Sequence, residues 1–255
     1  MPSRAGPLSF VLWMLGTIAM LELLMSAGKA AEGIPEADVI FLWDPTEARD
    51  LIGSAATITL IGATSIDPDY QIDGVNTMLF PGTTSGATIT FETPLVLNGL
   101  DWTIEWSAIN AAAASSYANE FAMYSGVTGN GMLARWGDAG FGNRLQFGNK
   151  FAAAADCFNI ALSKAGSVGQ LSRFALVCKN SVVSVFRNGI KQSLAVGTGG
   201  TYNQASFPAG TALTDLRAIR LGWLSSSVPT NASRHGRIRI SKNALYTSNY
   251  TPQPF

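Results

Sequence analysis

The sequence holds one histidine and two cysteines in 255 residues, and only 13% of its residues are charged. Each scarcity excludes something. His235, in Asn231-Ala232-Ser233-Arg234-His235-Gly236, has no second histidine or neighbouring cysteine with which to hold a metal or build a triad. It reads as a solvated loop residue. Seventeen basic residues are offset by seventeen acids, so the chain has no excess positive charge with which to grip a nucleic acid. Cys157 and Cys178 each sit in an apolar run; they either pair, if their strands are neighbours, or stay as buried thiols. Gly129-Asn130-Gly131 and Gly137-Asp138-Ala139-Gly140 precede no helix, so they read as hairpin turns and not as phosphate cradles. Beyond residue 31 no long helix is signalled. The quartets Ala111 to Ala114 and Ala152 to Ala155 are too short to stand alone as helices.

What the chain does have is apolar residues, 47% of the total, and 26 glycines. That is ample material for a core in a chain that turns often, and all-β sandwiches reach this size as one unit. Runs of strand period fall near residues 56–62, 77–81, 86–92, 101–109, 119–124, 132–136, 144–148, 158–163, 173–178, 182–187, 217–224 and 236–241. Gly, Asn, Asp and Pro separate them, the punctuation of a sandwich or barrel. The centre of this pattern is Leu171 to Gln192, where two alternating runs flank Lys179-Asn180-Ser181. Asn188-Gly189 then supplies the positive φ angles of a tight reversal, which predicts a third strand from Ile190 to Val196. In Trp102 to Ile109, the set Trp102, Ile104, Trp106 and Ala108 faces one side and Thr103, Glu105 and Ser107 the other. By the same alternation Arg217, Ile219, Leu221 and Trp223 share the inner face of a later strand. The last strand carries Ile238 and Ile240 inward and shows a basic stripe, Arg237 and Arg239, outward.

Three segments follow: an apolar head at 1–31, a linker at 32–50 and a β domain at 51–255. Residues 5–21 carry no charge, follow Arg4 and lead to small residues, which fits a signal peptide, a membrane segment or a docking helix. Within the linker Ile40 to Trp43 reads as a short buried strand or anchor, and Asp44-Pro45-Thr46 starts a turn. Charge is also divided along the chain. Residues 1–133 contain three basic residues and fourteen acids, and residues 134–255 fourteen basic residues and three acids, giving −11 and +11. Complementary pairing between strands that lie side by side is the simpler reading, and a polar assembly of subunits is the other.

Four stretches then occur in a telling order: Gly74 to Gly82, Asp101 to Trp106, Arg187-Asn188-Gly189, and Gly236 to Ser241 followed by Ala244 to Pro252. In this order they resemble the laminin-G-like members of the concanavalin A-like lectin/glucanase superfamily, over about residues 40 to 255. The closing Tyr246-Thr247-Ser248-Asn249-Tyr250-Thr251-Pro252 is similar to copies in bacteriophage structural and tail proteins. The resemblance implies an all-β, two-sheet antiparallel jelly-roll sandwich. Enzymes of that fold carry a Glu-x-Asp-x-x-Glu run, because hydrolysis needs paired carboxylates. This chain has none, which argues for a non-enzyme. Relatives often hold calcium at the rim, for which Asp67, Asp69 and Asp73 form the densest acidic set and Asp138 with Asn143 a second; the alternative is plain solvation of acidic loops. Exposed aromatics beside polar residues suit a glycan, and the candidates are Tyr202 with Asn203 and Trp136 with Arg135 and Asp138. Tyr117 beside Asn119, and Tyr124, are further ones. The expectation is a virion structural protein, on capsid or tail, docked to other virion proteins by its head. Present in many copies, it would bind cell-surface polysaccharide. The alternative is a secreted or membrane-tethered carbohydrate-binding module.

Overall fold

The computed structural model describes residues 38–46, 49–50, 56–82, 84–97, 99–110, 118–124, 131–136, 144–149, 157–163, 169–180, 182–192, 194–196, 215–222 and 233–254. Contacts divide the chain into Met1–Glu36 and Ala37–Phe255, and all described residues belong to the second unit. The apolar head at 1–31 lies outside them. Among the described residues no helix is long and apolar enough to cross a membrane. The strands, in chain order, are β1 (Val39–Asp44), β2 (Arg49–Asp50), β3 (Ala56–Ile61), β4 (Ser65–Ile72), β5 (Val75–Phe80) and β6 (Gly86–Val96). They continue as β7 (Trp102–Asn110), β8 (Ala118–Tyr124), β9 (Gly131–Trp136), β10 (Arg144–Asn149), β11 (Cys157–Ser163) and β12 (Leu171–Lys179). The remainder are β13 (Val182–Arg187), β14 (Ile190–Lys191), β15 (Leu194–Val196), β16 (Asp215–Gly222) and β17 (Ser233–Ser241).

They form two antiparallel sheets. The first runs β14-β13-β12-β7-β17-β1-β2, with β5 also on β17 and β4 on β5, and the second runs β15-β11-β10-β9-β8-β16-β6-β3. This is the all-β sandwich expected from the sequence. Between the sheets Trp106 stacks on Phe121 at 4.7 Å and on Phe174 at 5.0 Å, tying β7 and β12 to β8 of the opposite sheet. Phe41 of β1 meets Phe91 of β6 edge-on at 5.0 Å. Trp43, Trp102, Phe80 and Met78 are among the other large side chains fully buried in this core. Aromatic rings of this size dominate the energetics of a core.

Several local readings change. Within the stretch 32–50, read as linker, the short buried strand expected at Ile40 to Trp43 is β1; it pairs with β17 and with β2, so the sheet begins at Val39. Asp67-Pro68-Asp69 lies on β4, paired with β5, and not in a loop. A proline is tolerated there because the register shifts between Asp67 and Gln71, leaving Pro68 outside the ladder. The expected strand Ile190 to Val196 is split. β14 continues the hairpin on β13, whereas β15 pairs with β11 in the other sheet. Arg217 is exposed and Leu216 buried, because a register shift between Leu216 and Ala218 lets Leu216 and Ile219 both point inward. Trp223 lies outside the described residues. Cys157 is on β11 and Cys178 on β12, in different sheets, so their strands are not neighbours.

The charge division along the chain becomes pairing within it. Arg173 pairs with Asp73, Arg234 with Asp67 at 2.9 Å, Arg237 with Asp44 at 2.6 Å and Arg239 with Glu105 at 2.7 Å. Each joins a base of the second half to an acid of the first. The topology explains the three pairs made by β17, since β17 lies beside β1 and β7 and is joined through β5 to β4.

Candidate functional site

Among the described residues, the outer face of the first sheet carries a groove that is a candidate binding surface. Thr103, Glu105 and Ser107 point there as the alternation predicts, yet all three are buried. Over Thr103 and Glu105 the cover is the C-terminal tail, residues 242–254, which folds back across β7, β12 and β13; Ser107 instead lies against Gly236 of β17, where an added Cβ would meet its Oγ. Thr103 donates its hydroxyl to the Asn243 carbonyl at 2.7 Å and accepts from the Leu245 amide at 3.0 Å. Tyr246 donates its hydroxyl to Glu105 Oε1 at 2.8 Å, and Arg239 donates to Oε2 of the same carboxylate at 2.7 Å. Burial raises the Glu105 carboxyl above its ordinary range, and Arg239 and Tyr246 pull it back. The Tyr246 phenol is pushed up, first by burial and then by the Glu105 charge.

The tail is seated by rings and by one glycine. Tyr246 and Tyr250 stack at 3.5 Å, and both meet Phe186 of β13 edge-on. Asn188 and Gly189 have φ of 49° and 76°, the reversal read from the sequence. A side chain at Gly189 would lie 1.9 Å from the Tyr250 carbonyl oxygen, and the Tyr250 amide donates to the Gly189 carbonyl at 2.9 Å. Glycine is therefore required twice, for its φ and for the approach of the tail. The Lys191 amide donates to Asn249 Oδ1 at 2.9 Å.

Between this tail and the turn end of the β12–β13 hairpin lies a shallow groove of about 300 Å³. Val177 and Ser184, register partners on β12 and β13, form its floor. Tyr246 and Thr247 form the tail side, and Lys179, Asn180, Val182 and Lys191 the rim. Lys179 and Lys191 are exposed, and neither has an ion-pair partner among the described residues. Asp101 lies beside the Asn180 end, where its Oδ1 accepts the Asn180 amide at 2.8 Å. An aromatic side chain, exposed Val182 and several hydroxyl and amide groups together provide apolar and hydrogen-bonding contacts side by side.

A second polar cluster is shut inside the sandwich. His235 Nε2 of β17 lies 3.8 Å from Glu120 Oε1 of β8, and both side chains are 1% or 2% exposed. Arg187 donates from Nε and Nη2 to Ser172 Oγ at 3.1 and 2.8 Å. Burial lowers the His235 and Arg187 pKa values, and the Glu120 charge opposes both shifts. His235 is thus a core residue and not a solvated loop residue, because β17 begins at Ser233, three residues before the run expected at Gly236.

The residues singled out from the sequence are not gathered at one place. Asp67 is held by Arg234 and also accepts the Asp69 amide at 3.1 Å. Asp73, at the turn after β4, is held by Arg173, whose Nε donates at 3.3 Å. Two of the three acids read as calcium ligands are therefore neutralised by arginines, and among the described residues no group of three His, Cys, Asp or Glu side chains is placed to share a metal. Arg135 and Trp136 fall on β9, opposite Gln146 and Leu145 of β10, and their side chains lie outside the described residues. Tyr117, Asp138, Asn143, Tyr202 and Asn203 lie outside them as well or, for Asn119, contribute only backbone to β8. Tyr124 is 7% exposed, too enclosed to receive a ligand. Sequence reasoning missed the groove, although its pieces were visible as the central hairpin and the Tyr246…Tyr250 phrase.

The chain matches no known family model and no curated protein. Among solved structures it is similar to the receptor-binding domain of botulinum neurotoxin D, with a TM-score of 0.58 and 8% identity over 82% of this chain and 50% of that one. It is similar to the ligand-binding domain of serotype D in complex with N-acetylneuraminic acid, with a TM-score of 0.55 and 8% identity over 82% of this chain and 48% of that one. It is also similar to Trypanosoma rangeli sialidase in complex with sialic acid, with a TM-score of 0.55 and 12% identity over 84% of this chain and 32% of that one. The chain spans half or less of the length of these proteins. At such identities the likeness establishes the fold, an antiparallel β-sandwich of the kind found in these domains.

Proposed function

We propose that the protein is a non-enzymatic, lectin-like sandwich that binds glycans and serves as a structural component of a virus particle, on capsid or tail. The observation that carries the glycan reading is the groove between the β12–β13 hairpin and the C-terminal tail, where Tyr246, exposed Val182, Ser184, Thr247 and Asn180 converge. Sugar rings present apolar faces and hydroxyls together, and this lining answers both. Two of the solved structures with this fold are complexes with sialic acid or N-acetylneuraminic acid, which supports the reading by analogy of fold. The non-enzymatic part rests on the missing Glu-x-Asp-x-x-Glu run and on Asp44, Asp67, Asp73 and Glu105, each held by an arginine.

The virion part rests on the similarity of the closing Tyr246 to Pro252 phrase to phage structural proteins and on the low surface charge. Weak single sites suit a particle that carries many copies, since multivalency multiplies them. The head at 1–31 would dock the protein to its virion neighbours. The rival is a secreted or membrane-tethered carbohydrate-binding module, favoured by the signal-like start. Intact mass and N-terminal sequencing of the natural protein, from purified particles and from culture supernatant, separate the two. A full-length chain in fixed proportion on particles supports the virion role. A chain shortened by about thirty residues in supernatant alone would replace it with the secreted module.

A further inference from the structure

We infer that the groove selects acidic saccharides, those carrying carboxylate or sulfate groups, with Lys179 and Lys191 as the two cationic contacts. This rests on the glycan reading of the same groove and names the class of sugar. Its lining contains two lysines and no acid. Elsewhere on this sheet Arg173, Arg234, Arg237 and Arg239 each have an acidic partner. Of the nearest named carboxylates, Glu105 is offset by Arg239, and Asp101, which accepts the Asn180 amide, keeps its charge at the far end of the groove beside Lys179. An arriving anion meets two ammonium groups without an ion-pair partner among the described residues, each with three donors on a flexible stem.

The placement of the lysines adds to their charge. Lys179 lies opposite Val182 on β12, and Lys191 opposite Phe186 on β14, so they stand on either side of β13 and four residues apart along it. With strand rise and spacing this separates their Cα atoms by roughly 16 Å. Ser184 and Val177 lie between them on the floor, and Tyr246 lies alongside. With the two stems extended apart, a sugar with one acidic group does not reach both ammonium groups. A short oligosaccharide with acidic groups at two positions can, and its intervening ring then lies over Ser184 beside Tyr246. Exposed ammonium groups add modest free energy singly and are screened by salt, so the preference should be marked at low ionic strength and fade as salt rises.

The full-length protein is tested by calorimetry against a galacturonate tetramer and its neutral galactose counterpart, alongside an array of neutral and acidic glycans. The expected result is about five- to ten-fold tighter binding of the acidic tetramer at low salt, as two exposed charge contacts would give. In the Lys179→Gln/Lys191→Gln double variant the ratio of acidic to neutral affinity should fall to about one, whatever happens to the affinity for either tetramer alone. Equal wild-type affinity for the two tetramers, or a preference untouched in the double variant, overturns this inference and leaves the glycan reading standing. Absence of binding to every glycan on the array overturns both.

Discussion

Arg239 and Glu105 stand opposite each other in the register of β17 and β7, and their side chains meet at 2.7 Å beneath the C-terminal tail. The pair joins the last strand to the middle of the chain and, through Tyr246, fastens the tail that bounds the groove. Most of its worth lies in what would be left behind if one member were lost. An unpaired charge in a buried place costs more than the pair itself contributes.

Arg239→Met should therefore destabilise the protein by about 3 kcal/mol at pH 8. Burial already raises the Glu105 pKa, and removal of the guanidinium raises it further. A raised carboxyl pKa favours the native state at low pH and works against it as pH rises through the folded value. The loss should thus be smaller at pH 5 than at pH 8, read from urea midpoints. Equal losses at the two pH values would show that the Glu105 charge is not the source.

Gly189→Ala should loosen the tail. The residue has φ of 76°, and the added carbon would meet the Tyr250 carbonyl oxygen at 1.9 Å. A cost of about 2 kcal/mol or more is expected from the strain and the displaced tail together. Hydrogen exchange should rise in residues 243–252 and reach Thr103, whose hydroxyl holds the Asn243 carbonyl. Unchanged exchange there would mean that the tail is held independently of this turn.

His235 sets an acid limit on stability. Burial lowers its pKa below 6.5, with Glu120 opposing, and Arg187 is the other charged group coupled to Glu120. Below about 6.5 the unfolded chain takes up a proton that the native core resists. The contribution is fully present above that pH and is lost as pH falls through the folded value. Glu105 acts with the opposite sign, so the wild type must be compared with His235→Gln. The difference in their unfolding midpoints should change between pH 7 and 5; a constant difference would remove His235 from the pH response.

Arg237 and Asp44 are 193 positions apart in sequence and meet through two contacts, Nε at 2.8 Å and Nη2 at 2.6 Å. Asp44 is 4% exposed at its side chain and Arg237 25%. A double-mutant cycle with Asp44→Asn and Arg237→Gln should give a coupling of about 1–2 kcal/mol, above that of a surface pair and below that of a fully buried one. A coupling near zero would make the complementary charge of the two halves incidental to folding.

The strand pattern was legible because period-two alternation is a local property of the chain. Trp102, Ile104, Trp106 and Ala108 lie in the core as read, and Asn188-Gly189 has the positive φ angles its composition required. Misreadings fell where an irregularity intervened. The register shift in β16 turned Arg217 out and Leu216 in, and the early start of β17 carried His235 into the core. β4 looked like an acidic loop because Asp67, Pro68 and Asp69 hide a strand; Arg234 meets Asp67, and Arg173 meets Asp73 at the turn that follows. The groove was illegible for a related reason, since its two sides come from a hairpin and a tail some 60 residues apart.

By itself the sequence determined the class of fold, the turns and which residues of the regular strands face inward, because these follow from side-chain chemistry and backbone sterics over a few neighbours. It also determined that the two halves carry opposite charge. Whether that charge would be spent within one chain or between chains was decided only by the tertiary structure, which lays β17 against β1, β5 and β7. The same packing brought the tail over Glu105 and left Lys179 and Lys191 on a common groove. Strand order is a long-range choice, settled by how two sheets close over one core, and no local pattern encodes it.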